Sequence, residues 1–207
     1  MTDPRSTPGR LWNRRAAIDG IRALLPMAPP VPAFGLVFGL LVTESEVVGR
    51  LAGLASGFLI FGGSSQLTAV LVLDEGGGAL LAIVTVLVIN ARHVMYSAAL
   101  QPRFRDTPRW FRIIGSHVLV DQTFAATEPR PDTDSLDYRV SHFLTAGAVW
   151  MVLWLGAIAT GILIGNVIPA SWSLDFAVPL LFLALLINAI RDRPGVAAAA
   201  VAGAVAV

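Results

Sequence analysis

The stretch FGGSSQLTAV, Phe61–Val70, places two glycines, two serines and a glutamine inside an apolar run that extends from Val47 to Leu73. Glycine is less favourable than alanine inside a helix by about 1 kcal/mol, and serine competes for backbone hydrogen bonds. The stretch therefore predicts a broken helix, with a new helix beginning at Ser64 or Ser65. The alternative is a close helix crossing that requires small residues.

The sequence on both sides of this break is strongly apolar. The chain has 207 residues, of which 55% are hydrophobic and 14% charged, and its mean hydropathy is +0.70. A soluble domain of this size cannot bury so much apolar surface. The apolar stretches of near-spanning length are Ile21–Val42, Val47–Leu73, Ala79–Leu100, Phe111–Thr127, Val140–Gly165 and Phe176–Ile190. We therefore predict an all-α fold, a polytopic transmembrane helical bundle with about six to seven membrane segments, at least one of them broken or re-entrant.

Arginines concentrate in the N-terminal segment, in QPRFRDTPRWFR (101–112) and in RDRPG (191–195). The positive-inside rule predicts that all of these face the cytoplasm. Full crossings alone would put the middle connection outside, so one segment in each half has to be broken or re-entrant. The sequence leaves the orientation of the middle loops open.

The predicted organisation is a cytoplasmic N-terminal segment, 1–20, and a single transmembrane transport domain, 21–207. The helical spacing of apolar residues within Arg10–Leu25 suits a short helix on the membrane surface, with a frayed tail as the alternative. The final run VAAAAVAGAVAV, 196–207, would extend about 18 Å as a helix, short of the bilayer core of about 30 Å. We therefore expect an incomplete last span.

Several functions are disfavoured by what the sequence lacks. With no cysteine, disulfides and thiolate chemistry are excluded, and a net charge of +1 gives no case for nucleic acid. No glycine-rich loop ends in GK[ST], and GGSSQ does not match the G-x-S-x-G nucleophile motif. We expect no enzymatic activity, no cofactor and no metal site.

Polar residues also interrupt the third apolar segment, in INARHVMYSAAL (89–100). Asn90, Arg92 and His93 lie well inside it, and an arginine at membrane depth costs about 3 kcal/mol unless it is paired or hydrated. An ionisable residue there predicts a functional site. The alternative is that Arg92 extends to the membrane interface.

The fourth segment carries GSHVLVDQTFAATE, 115–128, in which His117 and Asp121 are four residues apart. On a continuous helix this spacing puts both side chains on one face. Asp121 is a candidate to neutralise Arg92, to bind a substrate ammonium group or to carry a coupling proton. The sequence does not choose among these roles.

Taken in order, these motifs resemble a known family. FGGSSQ in a broken segment, N-x-R-H-x-x-Y from Asn90 to Tyr96, D-x-x-F from Asp121 to Phe124, and LDFAVPLLFLALL (174–186) resemble the AzlC family of branched-chain amino acid permeases. The resemblance implies the large subunit of an exporter for leucine, isoleucine, valine and sometimes methionine. It also implies a small AzlD-type membrane partner. We expect a location in the inner (plasma) membrane, and the arginine-rich N-terminal segment predicts a cytoplasmic N-terminus.

Such a zwitterionic substrate needs a positive group for its carboxylate, a negative group for its ammonium and an apolar wall for its side chain. The predicted substrate-binding residues are Gly62, Gly63, Ser64, Ser65, Gln66, Asn90, Arg92 and His93. The predicted proton-coupling or ammonium-binding residues are Asp121 and His117. The alternatives are an exporter of another small zwitterion or organic acid, and a non-transporting scaffold subunit. A water-accessible cavity reaching Ser64, Arg92 and Asp121 would favour transport over the scaffold.

Overall fold

The structure is a computed structural model and describes residues 12–165. Every regular element in this part of the chain is a helix or a short 3-10 turn. The α-helices are α1 (Arg14–Leu24), α2 (Pro30–Glu44), α3 (Arg50–Leu59), α4 (Gly63–Asp74), α5 (Gly78–Asn90), α6 (Arg92–Leu100), α7 (Arg109–His117), α8 (Asp121–Thr127) and α9 (Leu136–Gly165). The predicted segment Phe176–Ile190 and the C-terminal run lie outside the described residues, and with them the incomplete last span.

Two helical stretches within residues 12–165 are long and apolar enough to cross a membrane. They are Gly78–Phe104, formed by α5, α6 and a 3-10 turn, and α9. A third span is present if the bent pair of α1 and α2, which meet at 71°, counts as one. The prediction of an all-helical membrane protein is confirmed. The predicted number of six to seven membrane segments stays a prediction, because it includes residues outside 12–165.

The long helix α9 organises the packing, because α1 and α2 both lie along it. Its contact with α2 is very close: a Cβ atom on Gly161 would lie 2.2 Å from the carbonyl oxygen of Leu36. Phe38 of α2 and Ile158 of α9 are fully buried beside this crossing. Glycine is required here because no side chain fits between the two backbones.

Helix α1 agrees with the helix predicted within Arg10–Leu25, while its position on the membrane surface stays a prediction. Asn13 caps it by accepting a hydrogen bond from the Ala16 N–H at 3.1 Å, and the Asn13 N–H donates to Ser141 Oγ at 2.7 Å. A capping side chain satisfies a backbone donor that the first helical turn leaves free. Since Ala16 and Leu24 are buried, α1 is a packed part of the fold rather than a frayed tail.

The chain is interrupted where the sequence predicted it, in FGGSSQ. Helix α3 ends at Leu59, Phe61 has a φ of +45°, and α4 begins at Gly63, one residue before the predicted start. A positive φ is unfavourable for a bulky residue. Phe61 keeps this conformation while its side chain is buried among the core residues.

A further break separates α7 from α8 at Val118–Val120, and it corrects a prediction. His117 ends α7 and Asp121 begins α8, so these two residues do not share the face of one helix. The reason is local hydrogen bonding: Thr123 Oγ accepts from the Val120 N–H at 2.8 Å and donates to the Val118 carbonyl at 2.8 Å. A side chain that satisfies backbone groups in this way replaces the helical ladder.

Candidate functional site

A cavity of about 320 Å³ lies where the interrupted helices meet. Its walls include the break before α4, the beginning of α6 and the beginning of α8, together with parts of α2 and α9. The residues lining it are Pro30, Val31, Phe34, Phe61, Gly62, Gly63, Ser64, Arg92, His93, Val120, Asp121, Gln122, Trp150 and Trp154. Segments far apart in sequence thus contribute polar groups to one place.

Arg92 is the central polar residue of this cavity. Its Nη1 lies 3.0 Å from Asp121 Oδ2, and its Nη2 donates a hydrogen bond to Ser64 Oγ at 3.2 Å. Its Nε is buried without a hydrogen-bond partner among the described residues. The side chains of Arg92 and Asp121 are 33% and 36% exposed, so the ion pair is in contact with the cavity rather than sealed in the core. Arg92 therefore does not depend on reaching the membrane interface for a partner.

Asp121 is held from a second direction by Tyr96. The Tyr96 hydroxyl donates to Asp121 Oδ1 at 2.8 Å, while the Tyr96 ring stacks on Phe124 with centroids 4.4 Å apart. Each carboxylate oxygen of Asp121 thus has its own donor. A hydrogen bond whose acceptor is a carboxylate is stronger than one between neutral groups.

The start of α4 contributes backbone donors. The first hydrogen bond of its first turn runs from the Gln66 N–H to the Gly62 carbonyl, and Gly62 provides no side-chain cap. Helix N-termini with uncapped N–H groups favour an anion. Gly62 and Gly63 line the cavity, so this end of α4 and the Arg92 guanidinium lie on the same site.

Aromatic rings form the apolar wall of the cavity. Phe34 of α2 stacks against Trp154 of α9 with ring centroids 5.8 Å apart, and Trp150 lies one turn earlier on α9. The Trp154 indole N–H donates to Gln66 Oε1 at 3.0 Å, which fixes the ring against α4. The site therefore combines charged groups with a rigid aromatic surface.

The predicted site residues divide into two groups. Gly62, Gly63, Ser64, Arg92, His93 and Asp121 line the same cavity. Ser65, Gln66, Asn90 and His117 are outside its lining. Ser65 Oγ donates to the Gly62 carbonyl, Gln66 binds Ser56 and Trp154, Asn90 Oδ1 lies against Gly62, and the His117 ring is 5.0 Å from Phe58. Whether any of them contacts a substrate stays a prediction.

Sequence reasoning did not assign Phe34, Trp150, Trp154 and Gln122 to the site, and it gave Tyr96 no role. Trp150 and Trp154 had a usable signal, since they are four residues apart and therefore on one helix face. Nothing in the sequence indicated that this face would meet Ser64 and Arg92. Within residues 12–165 no group of three or more histidine and acidic residues could hold a metal ion.

Apolar helices of spanning length, found within residues 12–165 together with a cavity lined by polar groups, indicate an integral membrane protein. Comparison with known proteins identifies the family: the model described as "AzlC protein" matches residues 26–168, and the chain belongs to the AzlC family. Proteins named "Uncharacterized membrane protein" from Helicobacter pylori strains J99 and 26695 are each 26% identical over 144 residues. Each match covers 68% of this chain but only 59% of the relative. No solved structure matches the chain significantly.

Proposed function

We propose that this protein is a secondary transporter that exports branched-chain amino acids, namely leucine, isoleucine, valine and in some cases methionine. The observation that carries the proposal is the meeting of Ser64, Arg92 and Asp121 at a cavity with an aromatic wall. A volume of about 320 Å³ is at the lower end of ligand pockets, which suits a small substrate. A scaffold subunit would need no such cavity.

The substrate carboxylate binds on the positive side of the site. Arg92, the Ser64 hydroxyl and the uncapped start of α4 are adjacent there. Guanidinium groups bind carboxylates through several parallel hydrogen bonds. The carboxylate thus takes the place that Asp121 occupies beside Arg92 in this structure.

The substrate ammonium group binds Asp121, which keeps its hydrogen bond from Tyr96. A zwitterion inserted between Arg92 and Asp121 gives each charge a new partner, so neither is left unpaired. The aliphatic side chain then packs against Phe34, Trp150 and Trp154. Burying a Val or Leu side chain contributes about 1.5–3 kcal/mol, enough to separate these substrates from small polar amino acids.

An ion gradient drives export, most simply a proton gradient acting on Asp121 or on a histidine of the site. His93 is the histidine that lines the cavity, whereas His117 lies apart from it. Efflux of leucine from preloaded cells should stop when a protonophore collapses the gradient. Undiminished efflux under those conditions would reject proton coupling and leave the binding site unaffected.

The transporter works with a small AzlD-type membrane subunit in the plasma membrane, with its N-terminus in the cytoplasm. This assignment follows from the family and from the arginine-rich N-terminal segment. Expression with and without the small subunit tests the partnership, and a protease site placed before Asn13 tests the orientation. Cleavage in intact spheroplasts would reject a cytoplasmic N-terminus.

The decisive experiment measures efflux of preloaded radiolabelled leucine from cells that make the protein with its small partner. Arg92→Gln and Asp121→Asn each remove one charge from the cavity, and exposed Arg109→Gln and Asp106→Asn make the same changes elsewhere. A charge-assisted hydrogen bond contributes about 1.5–3 kcal/mol when buried. Because both side chains are about one-third exposed, we expect a loss near the lower limit, about tenfold.

Equal export by the wild type and both cavity variants, with normal membrane insertion, would reject the site. No leucine export by the wild type would reject the branched-chain substrate. The same cells would then be loaded with other small zwitterions and organic acids. Export of one of these, sensitive to Arg92→Gln, would identify the alternative transporter, and transport of none would favour the scaffold subunit.

A further inference from the structure

A second cavity, of about 210 Å³, lies at the end of the span Gly78–Phe104, away from the candidate substrate site. It is enclosed by the end of α6, the connection that follows, α7 and α9. Its interior is apolar and includes Phe104, Phe111, Leu119 and Phe143, all of them buried. Arg105 and Arg112 also line it, and both are exposed.

These two arginines differ from their neighbour Arg103. Arg103 binds Asp132 at 2.7 Å and donates to the carbonyl oxygens of Thr127 and Glu128. Within residues 12–165, neither Arg105 nor Arg112 forms an ion pair or a side-chain hydrogen bond. The cavity therefore has a largely apolar interior, and beside it lie two positive charges without a partner in residues 12–165.

Helix α7, which borders this cavity, has the composition of a helix at a membrane surface. Helix α7 exposes Trp110, Ile113 and Ile114, at 45%, 72% and 50%, and also carries exposed arginines. A helix with basic and large apolar side chains exposed lies in the interface between headgroups and acyl chains. Tryptophan is enriched at the same depth. These side chains suit contact with lipid.

We propose that the second cavity binds an anionic phospholipid. Arg105 and Arg112 bind the phosphate of the headgroup, and an acyl chain lies against the rings of Phe104, Phe111 and Phe143. Basic pockets between membrane helices recognise anionic headgroups in this way. A zwitterionic lipid offers the same chains without net negative charge, and free phosphate offers the charge without chains, so the two parts of the site can be tested separately.

The test uses the full chain purified in detergent, with lipid binding followed by native mass spectrometry. The probes are phosphatidylglycerol, phosphatidylcholine with identical acyl chains, and inorganic phosphate. A basic residue near an anionic lipid surface contributes about fivefold to affinity. We expect Arg112→Gln to weaken phosphatidylglycerol binding about fivefold, and the double variant Arg105→Gln/Arg112→Gln about 25-fold.

Arg109→Gln is the matched control, because Arg109 is exposed on the same helix but does not line the cavity. Its effect should be less than twofold. Equal losses in Arg109→Gln and Arg112→Gln would overturn the proposal in favour of diffuse surface charge. Equal binding of phosphatidylcholine would overturn the headgroup assignment. Complete displacement of phosphatidylglycerol by millimolar phosphate would show an anion site without lipid specificity.

Discussion

Gln66→Leu tests whether Gln66 supports the cavity or binds the substrate. The side chain is 1% exposed and links three helices: Nε2 donates to Ser56 Oγ of α3 at 2.9 Å, and Oε1 accepts from the Trp154 indole of α9 at 3.0 Å. Leucine has nearly the same volume, so the substitution removes the hydrogen bonds without leaving a large void. In the variant the Ser56 hydroxyl still donates to the Gly53 carbonyl, as it does here at 2.6 Å, so it is not left unsatisfied. The indole N–H loses its partner.

The magnitude follows from these contacts. Interhelical hydrogen bonds in a membrane bundle contribute about 0.6 kcal/mol on average and about 1.7 kcal/mol at most. Loss of two such bonds, one leaving a buried donor unsatisfied, should lower the free energy of unfolding by about 1–3 kcal/mol. Unfolding in a denaturing-detergent titration measures this value. Trp154→Phe in the same titration completes a double-mutant cycle, for which we expect a coupling of about 0.6–1.7 kcal/mol.

Substrate affinity distinguishes the two roles of Gln66. If Gln66 only supports the cavity, Gln66→Leu should retain leucine affinity within about threefold of the wild type. A threefold change corresponds to about 0.7 kcal/mol of binding free energy, whereas loss of a direct contact worth about 1.4 kcal/mol would lower the affinity tenfold. A coupling energy near zero would refute the hydrogen-bond argument. An unchanged free energy of unfolding with a loss of affinity above tenfold would instead place Gln66 in the binding site, as the sequence-based prediction has it.

Three further predictions follow from particular contacts. Gly161→Ala should lower the free energy of unfolding by about 1–3 kcal/mol in the same titration, because its Cβ would overlap the α2 backbone. Gly156→Ala has open space at its Cβ and should leave the stability unchanged. Equal effects of the two substitutions would contradict the close crossing. Tyr96→Phe should lower leucine export several-fold, because it removes a hydrogen-bond donor from Asp121. Tyr138→Phe breaks a similar hydrogen bond to Asp19 and should have no effect on export. Equal losses in the two variants would reject the role of Tyr96. Asp121→Asn should bind the 2-oxo acid analogue of leucine as well as it binds leucine, since the carboxylate that recognises ammonium is gone, and a retained preference for leucine in competition assays would reject that assignment.

Part of this architecture is readable from the sequence because the signals are local. Glycine and serine in an apolar run indicated the break before α4, and the rarity of charge at membrane depth singled out Arg92 and Asp121. The break before α8 was not readable, because Val118–Val120 is apolar and its cause is the hydrogen bonding of Thr123. The aromatic wall could not be predicted either, since it depends on how α2 and α9 cross.

The charges around the cavity indicate which end of a substrate fixes its orientation. On one side lie the Arg92 guanidinium, whose two terminal nitrogens contact Asp121 and Ser64, and the uncapped start of α4 at Gly63. On the other lies the single carboxylate of Asp121, which already accepts from Tyr96. Donors therefore exceed acceptors, so under the proposed function we expect the substrate carboxylate to gain more than the ammonium group does. Arg92→Gln should accordingly reduce leucine export more than Asp121→Asn does, and the reverse order in the efflux assay would show that the ammonium group is the main anchor.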